Sequence, residues 1–129
     1  MKAAIIGAGF VGLELARQLN LAGHEAVLMD SSPHTITESS IPVLQCDALE
    51  LMIPLPDKVD AVFYLAQSPY YREFPEHAGH LFGVNTLGAV KAAEAAVNNG
   101  CRFFFYASTG NVYTPSFTPL TENMSLRKR

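Results

Sequence analysis

Three glycines at fixed spacing, Gly7-Ala8-Gly9-Phe10-Val11-Gly12, are the first residues of this 129-residue chain whose types and order imply chemistry. They follow a short apolar run and open a stretch with helical periodicity, which is where a GxGxxG turn can face a phosphate. Gly7 permits the tight turn, Gly9 lets the backbone approach a diphosphate with no Cβ in the way, and Gly12 lets helix and strand pack closely. The amide groups of the helix start, around Phe10 and Val11, then face the negative charge. Asp30 follows Gly7 by 23 residues, a separation that suits a carboxylate accepting both hydroxyls of an adenosine ribose. Ser31 and Ser32 come next instead of Arg or Lys, and a 2′-phosphate would meet like charge, so NAD is the expected cofactor and NADP is disfavoured. The competing reading is a strand–helix turn that binds nothing; the register of Asp30 argues against it.

Other chemically suggestive residues carry less. His77 and His80 lie three apart, a spacing that could serve a metal on one helix face, but no further ligands accompany them and a solvated helix start is the simpler expectation. No metal is expected. Cys46 and Cys101 show neither metal-ligand nor CxxC spacing, which fits a reducing, cytoplasmic setting. A net charge of −3 gives no electrostatic reason to expect nucleic acid or an anionic membrane as partner. The basic cluster Arg127-Lys128-Arg129 reads as a solvated terminus. The apolar stretch after Lys2 superficially resembles a signal peptide, yet three glycines, Glu14 and Arg17 interrupt it. No run approaches the roughly 18 apolar residues of a membrane span.

Periodicity supplies the elements that must position these residues. Lys2–Ile6 predicts a strand, and residues 10–19 a helix with Val11, Leu15 and Leu19 at helical spacing before Gly23. Glu25–Asp30 predicts a second strand covered on both faces. Residues 31–40 are polar and read as loop or a distorted helical turn. Residues 42–46 (PVLQC) predict a third strand, and Pro54, Pro56 and Asp57 punctuate the route to a fourth over 61–66. A long helix is predicted over 76–99, with Leu87, Val90 and Val97 on one face and Gly100 as its stop. Residues 102–107 (RFFFYA) predict a fifth strand. Strands alternating with helical segments imply an α/β fold with a parallel sheet, and right-handed crossovers leave the order 3-2-1-4-5 in a three-layer αβα, Rossmann-type arrangement. One domain is expected over residues 1–129.

A dinucleotide turn cannot name a reaction. GAGFVGLELA also looks like the NAD-binding turn of flavin disulfide reductases, and GAGFVGL resembles dehydrogenases that oxidise sugar nucleotides at C6. Later segments separate these. Residues 60–67 (DAVFYLAQ), Asn85-Thr86-Leu87-Gly88, Cys46-Asp47-Ala48 and Tyr106-Ala107-Ser108-Thr109-Gly110-Asn111-Val112-Tyr113 together resemble the extended short-chain dehydrogenase/reductases of the NAD-dependent epimerase/dehydratase group. The resemblance implies that Asp47, with Ala48 beside it, meets the adenine amine. It implies that Leu65-Ala66-Gln67 let the cofactor lie against the sheet edge and that Asn85 ties neighbouring strands. Ala107 and Ser108 would line the cofactor site, and Thr109 would bond the substrate's reacting oxygen. Ordinary alternatives are a turn Asp, a solvent-facing Asn and a strand-end cap.

Two departures qualify the resemblance. The family's usual GxxGxxG would put its first glycine at Ile6, so this turn is closer to atypical members. The family's acid/base pair is a Tyr followed four residues later by Lys, whereas the tyrosines at 64, 70, 71, 106 and 113 are followed by Ser68, Phe74, Pro75, Gly110 and Phe117. Pro119-Leu120-Thr121-Glu122-Asn123 resembles the stretch preceding that pair. The resemblance therefore implies an oxidoreductase or isomerase moving hydride between nicotinamide and a carbinol carbon, on a nucleotide sugar or similar small molecule. These residues would be its binding part, with little turnover. A non-catalytic NAD-sensing module is the alternative. If the sheet stops at Phe103-Phe104-Phe105, an unpaired edge invites homo-oligomers or strand-edge association.

Overall fold

The computed structural model describes residues 1–33, 40–109 and 112–126. The basic terminus, Gly110, Asn111 and most of the polar 31–40 segment lie outside the described residues. The strands are β1 (Lys2–Ile6), β2 (Glu25–Asp30), β3 (Val43–Gln45), β4 (Ala61–Tyr64) and β5 (Phe103–Tyr106). They form one parallel five-stranded sheet in the order β3-β2-β1-β4-β5, the order predicted from the crossovers.

The sheet is covered on both faces because successive side chains of a strand alternate. Ile5, Ala26 and Leu28 face α1 (Phe10–Leu21) and pack with Ala16. Ala4, Ile6, Met29, Val62 and Tyr64 face the other way and pack with Val84, Ala92 and Ala96. Those last three lie on a continuous helical stretch made of α2 (Ala78–Phe82), a π-helical segment (Gly83–Gly88) and α3 (Ala89–Asn99). The result is the αβα Rossmann arrangement.

The helix faces differ from the expectation. Val11 is 64% exposed, and the buried positions of α1 are Gly12 and Ala16, with Leu15 and Leu19 only half-buried. Leu87, Val90 and Val97 are exposed, and the covered stripe is instead Val84, Gly88, Ala92 and Ala96. Small side chains let a helix axis approach a sheet closely, so the larger apolar residues are displaced to the flanks. The long helix also starts two residues later than predicted and is widened at its centre. Among the described residues no helix is long and apolar enough to cross a membrane.

Parallel register is what assembles a site. Ile6 pairs with Met29 and Tyr64, Asp30 with Gln45, and Tyr64 with Tyr106. All five C-terminal strand ends therefore reach the same edge. Strands 3, 4 and 5 each stop one or two residues before their predicted ends, and the residues released there, such as Cys46, Leu65, Ala66 and Ala107, line clefts instead. The strand order reverses between β1 and β4, and open α/β sheets bind ligands at such a crevice.

Candidate functional site

The glycine turn is locked by its surroundings. Gly7 has φ +103°, and a Cβ there would lie 2.6 Å from the Ala66 backbone nitrogen. A Cβ on Gly12 would lie 2.1 Å from the Gly7 carbonyl oxygen. Gly9 is different: its φ is −71°, and a Cβ would meet nothing within 4 Å. No atom of the described residues requires glycine at that position, which leaves the space above it open to a ligand. The first helical bond across this turn runs from the Leu13 amide to the Gly9 carbonyl at 3.0 Å. Amides ahead of it have no intrahelical partner, and α1 has no acidic side chain in its first turn and no side-chain cap. Such a helix start favours an anion.

Asp30 is turned toward this loop. Its Oδ2 accepts the Ala8 amide at 2.9 Å and its Oδ1 accepts the Ser32 amide at 2.9 Å. A carboxylate offers roughly four lone-pair sites, so two remain for hydroxyl donors such as a ribose diol. Asp30 borders a cleft of about 500 Å³ with Gly7, Gly9, Phe10, Val11 and Gly12 on one side. Asp47, Ala48, Leu65, Ala66 and Gln67 complete the predicted set in that cleft. Among the described residues its lining contains no Lys or Arg. Asp47 caps its own turn, with Oδ1 accepting the Leu49 amide at 2.9 Å.

A second cleft, of about 370 Å³, is lined by Leu65, Ala66, Gln67, Asn85, Tyr106, Ala107, Ser108 and Thr109. It contains every predicted site residue missing from the first. Asn85 is half-buried rather than solvent-facing. Its Oδ1 accepts the Ser68 amide at 2.9 Å, and its backbone carbonyl accepts the Tyr106 hydroxyl at 3.0 Å. It thus ties the loop after β4 to the end of β5. The π-helical widening that carries it has a visible partner: the buried Tyr64 hydroxyl donates to the Val84 carbonyl. Burial pushes the Tyr64 phenol far above its ordinary value, with Cys46, Tyr106 and Asp47 adding to the shift.

His77 and His80 do not converge on a metal position. His77 Nε2 meets Glu73 at 3.2 Å and its ring stacks on Tyr70, while His80 Nδ1 meets Ser68 Oγ at 2.9 Å. Among the described residues no group of three His, Cys, Asp or Glu could hold a metal. The sequence reading missed Met29, Cys46, Leu49, Pro69, Tyr70, His80 and Val84, which also line the main cleft. Of these, His80 and Cys46 had drawn notice in the sequence, for metal or thiol chemistry that this cleft does not use.

The chain matches the family model described as NAD dependent epimerase/dehydratase family over residues 3–129. GDP-mannose 3,5-epimerase 1 of Oryza sativa subsp. indica is 30% identical over 136 residues, covering 99% of this chain and 35% of that protein. Crystalline UDP-galactose 4-epimerase superposes with a TM-score of 0.77 at 26% identity, covering 98% of this chain and 45% of the other. MoeE5 in complex with UDP-glucose and NAD superposes with a TM-score of 0.70 at 25% identity, covering 98% and 42%. The chain spans about a third of the length of the curated relative, 35%. With the strand order, the glycine turn and a match over nearly every residue, the chain belongs to the NAD dependent epimerase/dehydratase family.

Proposed function

We propose that this chain is the NAD-binding portion of an epimerase/dehydratase-type oxidoreductase or isomerase acting on a nucleotide sugar or a similar carbinol. The observation that carries the reading is Asp30: it is fixed to the Ala8 amide at 2.9 Å, beside the open space over Gly9. Asp30 would accept the adenosine ribose hydroxyls, the start of α1 would hold the diphosphate, and Asp47 with Ala48 would border the adenine. Leu65, Ala66 and Gln67 would carry the cofactor from the first cleft to the second, where Asn85, Ala107 and Ser108 frame it. When bound, NAD supplies the acceptor and donor for a hydride at a carbinol carbon. Thr109, exposed on the second cleft, would position the substrate hydroxyl. The nucleotide-sugar class is supported by relatives such as GDP-mannose 3,5-epimerase and the MoeE5 complex with UDP-glucose.

No Tyr-x-x-x-Lys pair occurs in these 129 residues. General acid/base groups contribute about 10²- to 10⁴-fold to such reactions, so the chain by itself is expected to bind without appreciable turnover. Calorimetric titration tests the reading. NAD should bind, NADP should bind at least about tenfold more weakly, and Asp30→Ala should lower NAD affinity by about 10- to 100-fold, the size of hydrogen bonds to a charged group. Equal affinity for both dinucleotides, or NAD binding indifferent to Asp30→Ala, would overturn it. So would NAD-dependent oxidation of a sugar nucleotide at an ordinary enzymatic rate, as far as the binding-only assignment is concerned.

A further inference from the structure

Part of the main cleft is built by Pro69, Tyr70 and His80, outside the glycine motif and outside the acidic partner on β2. His80 is held at two points. Its Nδ1 lies 2.9 Å from Ser68 Oγ, and Tyr70 meets its ring edge-on at 4.9 Å. Ser68 is 1% exposed, and its Oγ already accepts the Tyr70 amide at 3.2 Å. A hydroxyl has one proton to donate, and burying it without an acceptor is costly. Among the described residues the acceptor within reach is His80 Nδ1, which puts the imidazole's own proton on Nε2. Among the described residues the His80 imidazole makes no other hydrogen bond, and His80 lines the cleft.

The position along the cleft narrows what that donor would meet. Three and four residues beyond His80, Gly83 lies against Leu49 and Val84 lines the cleft, alongside the segment that holds Asp47 and Ala48. In the other direction the wall continues into Tyr70 and Pro69, which follow Gln67. His80 thus shares one cleft with Asp47 and Ala48, with the loop after β4, and with Gly9, Phe10 and Val11 at the start of α1. We propose that His80 Nε2–H is a diphosphate donor of the dinucleotide site, oriented by Ser68, which supplements the backbone amides of α1. This rests on the NAD-binding reading.

The test uses the 129-residue chain and three ligands: NAD and ADP by calorimetry, adenosine by NMR titration. His80→Phe should weaken NAD and ADP by about tenfold, as expected for loss of one charge-assisted hydrogen bond, and leave adenosine unchanged. His80→Gln, which restores an N–H donor, should recover part of the loss. Ser68→Ala should produce a smaller loss for the same two ligands by freeing the ring. NAD and ADP affinities untouched by His80→Phe, while Asp30→Ala still weakens NAD, would overturn the His80 assignment and leave the cofactor reading standing. Equal losses for adenosine and ADP would overturn it in favour of a purely structural ring. If the unaltered chain does not bind NAD, both fall. Should His80→Phe fail to fold, His80→Ala on the same ligands decides.

Discussion

At the scale of single residues, the glycines separate folding from binding. Gly9→Ala should leave thermal stability nearly unchanged, because its Cβ meets no atom of the described residues within 4 Å, yet it should abolish or strongly weaken NAD binding in a titration. Gly12→Ala should lower the melting temperature, since its Cβ would sit 2.1 Å from a backbone oxygen; forced overpacking costs about 1–3 kcal/mol. Cys46 gives a pH prediction. Burial, reinforced by Glu50, Asp47 and Asp30, pushes its thiol up to about 11 from the ordinary 9.0. The folded state therefore holds a proton that the unfolded state releases, so stability should be flat below pH 9 and fall as pH rises toward 11. Tyr64 acts in the same direction at the alkaline end. Urea midpoints measured across that range check the sign, and Cys46→Ala should soften the decline. The glycine turn and Asp30 were legible in the sequence because spacing along one strand–turn–helix unit encodes them. Tyr70 and His80 were not, because only the tertiary fold brings the 68–80 segment onto the cleft.

At the scale of elements, the widened segment Gly83–Gly88 illustrates what pattern reading can and cannot recover. It is met by a tyrosine on a distant strand: the Tyr64 hydroxyl donates to the Val84 carbonyl, and a Cβ on Gly88 would lie 2.3 Å from that hydroxyl. Nothing local in GVNTLG announces this. Gly88→Ala is accordingly expected to destabilise the chain by about 1–3 kcal/mol through overpacking, measured by chemical denaturation. It should also disturb Asn85, visible as loss of protection of the Ser68 amide in hydrogen exchange. The strands were legible to within one or two residues at each end, since short apolar runs bounded by turn residues have few other uses. The helix faces were not. Large apolar residues attracted the assignment, while packing against the sheet selected Ala16, Ala92 and Ala96.

At the scale of the whole molecule, β5 is a sheet edge among the described residues, pairing with β4 alone. Phe103 and Phe105 remain 47% and 48% exposed, and Phe105 stacks on Phe63 at 4.7 Å. An unprotected aromatic edge strand templates pairing with another chain, so light scattering should show concentration-dependent self-association that Phe103→Lys diminishes; a single monomeric species of the unaltered chain at high concentration would refute this. The fold class was legible because alternation of strands and helices allows few topologies, whereas the division of the strand edge into separate hollows was not. Leu65, Ala66 and Gln67 line both hollows. Guests in adjoining rooms would lean on the same partition, so whatever one does to it the other inherits. By thermodynamic reciprocity, the factor by which the first occupant alters the grip on the second equals the factor by which the second alters the grip on the first.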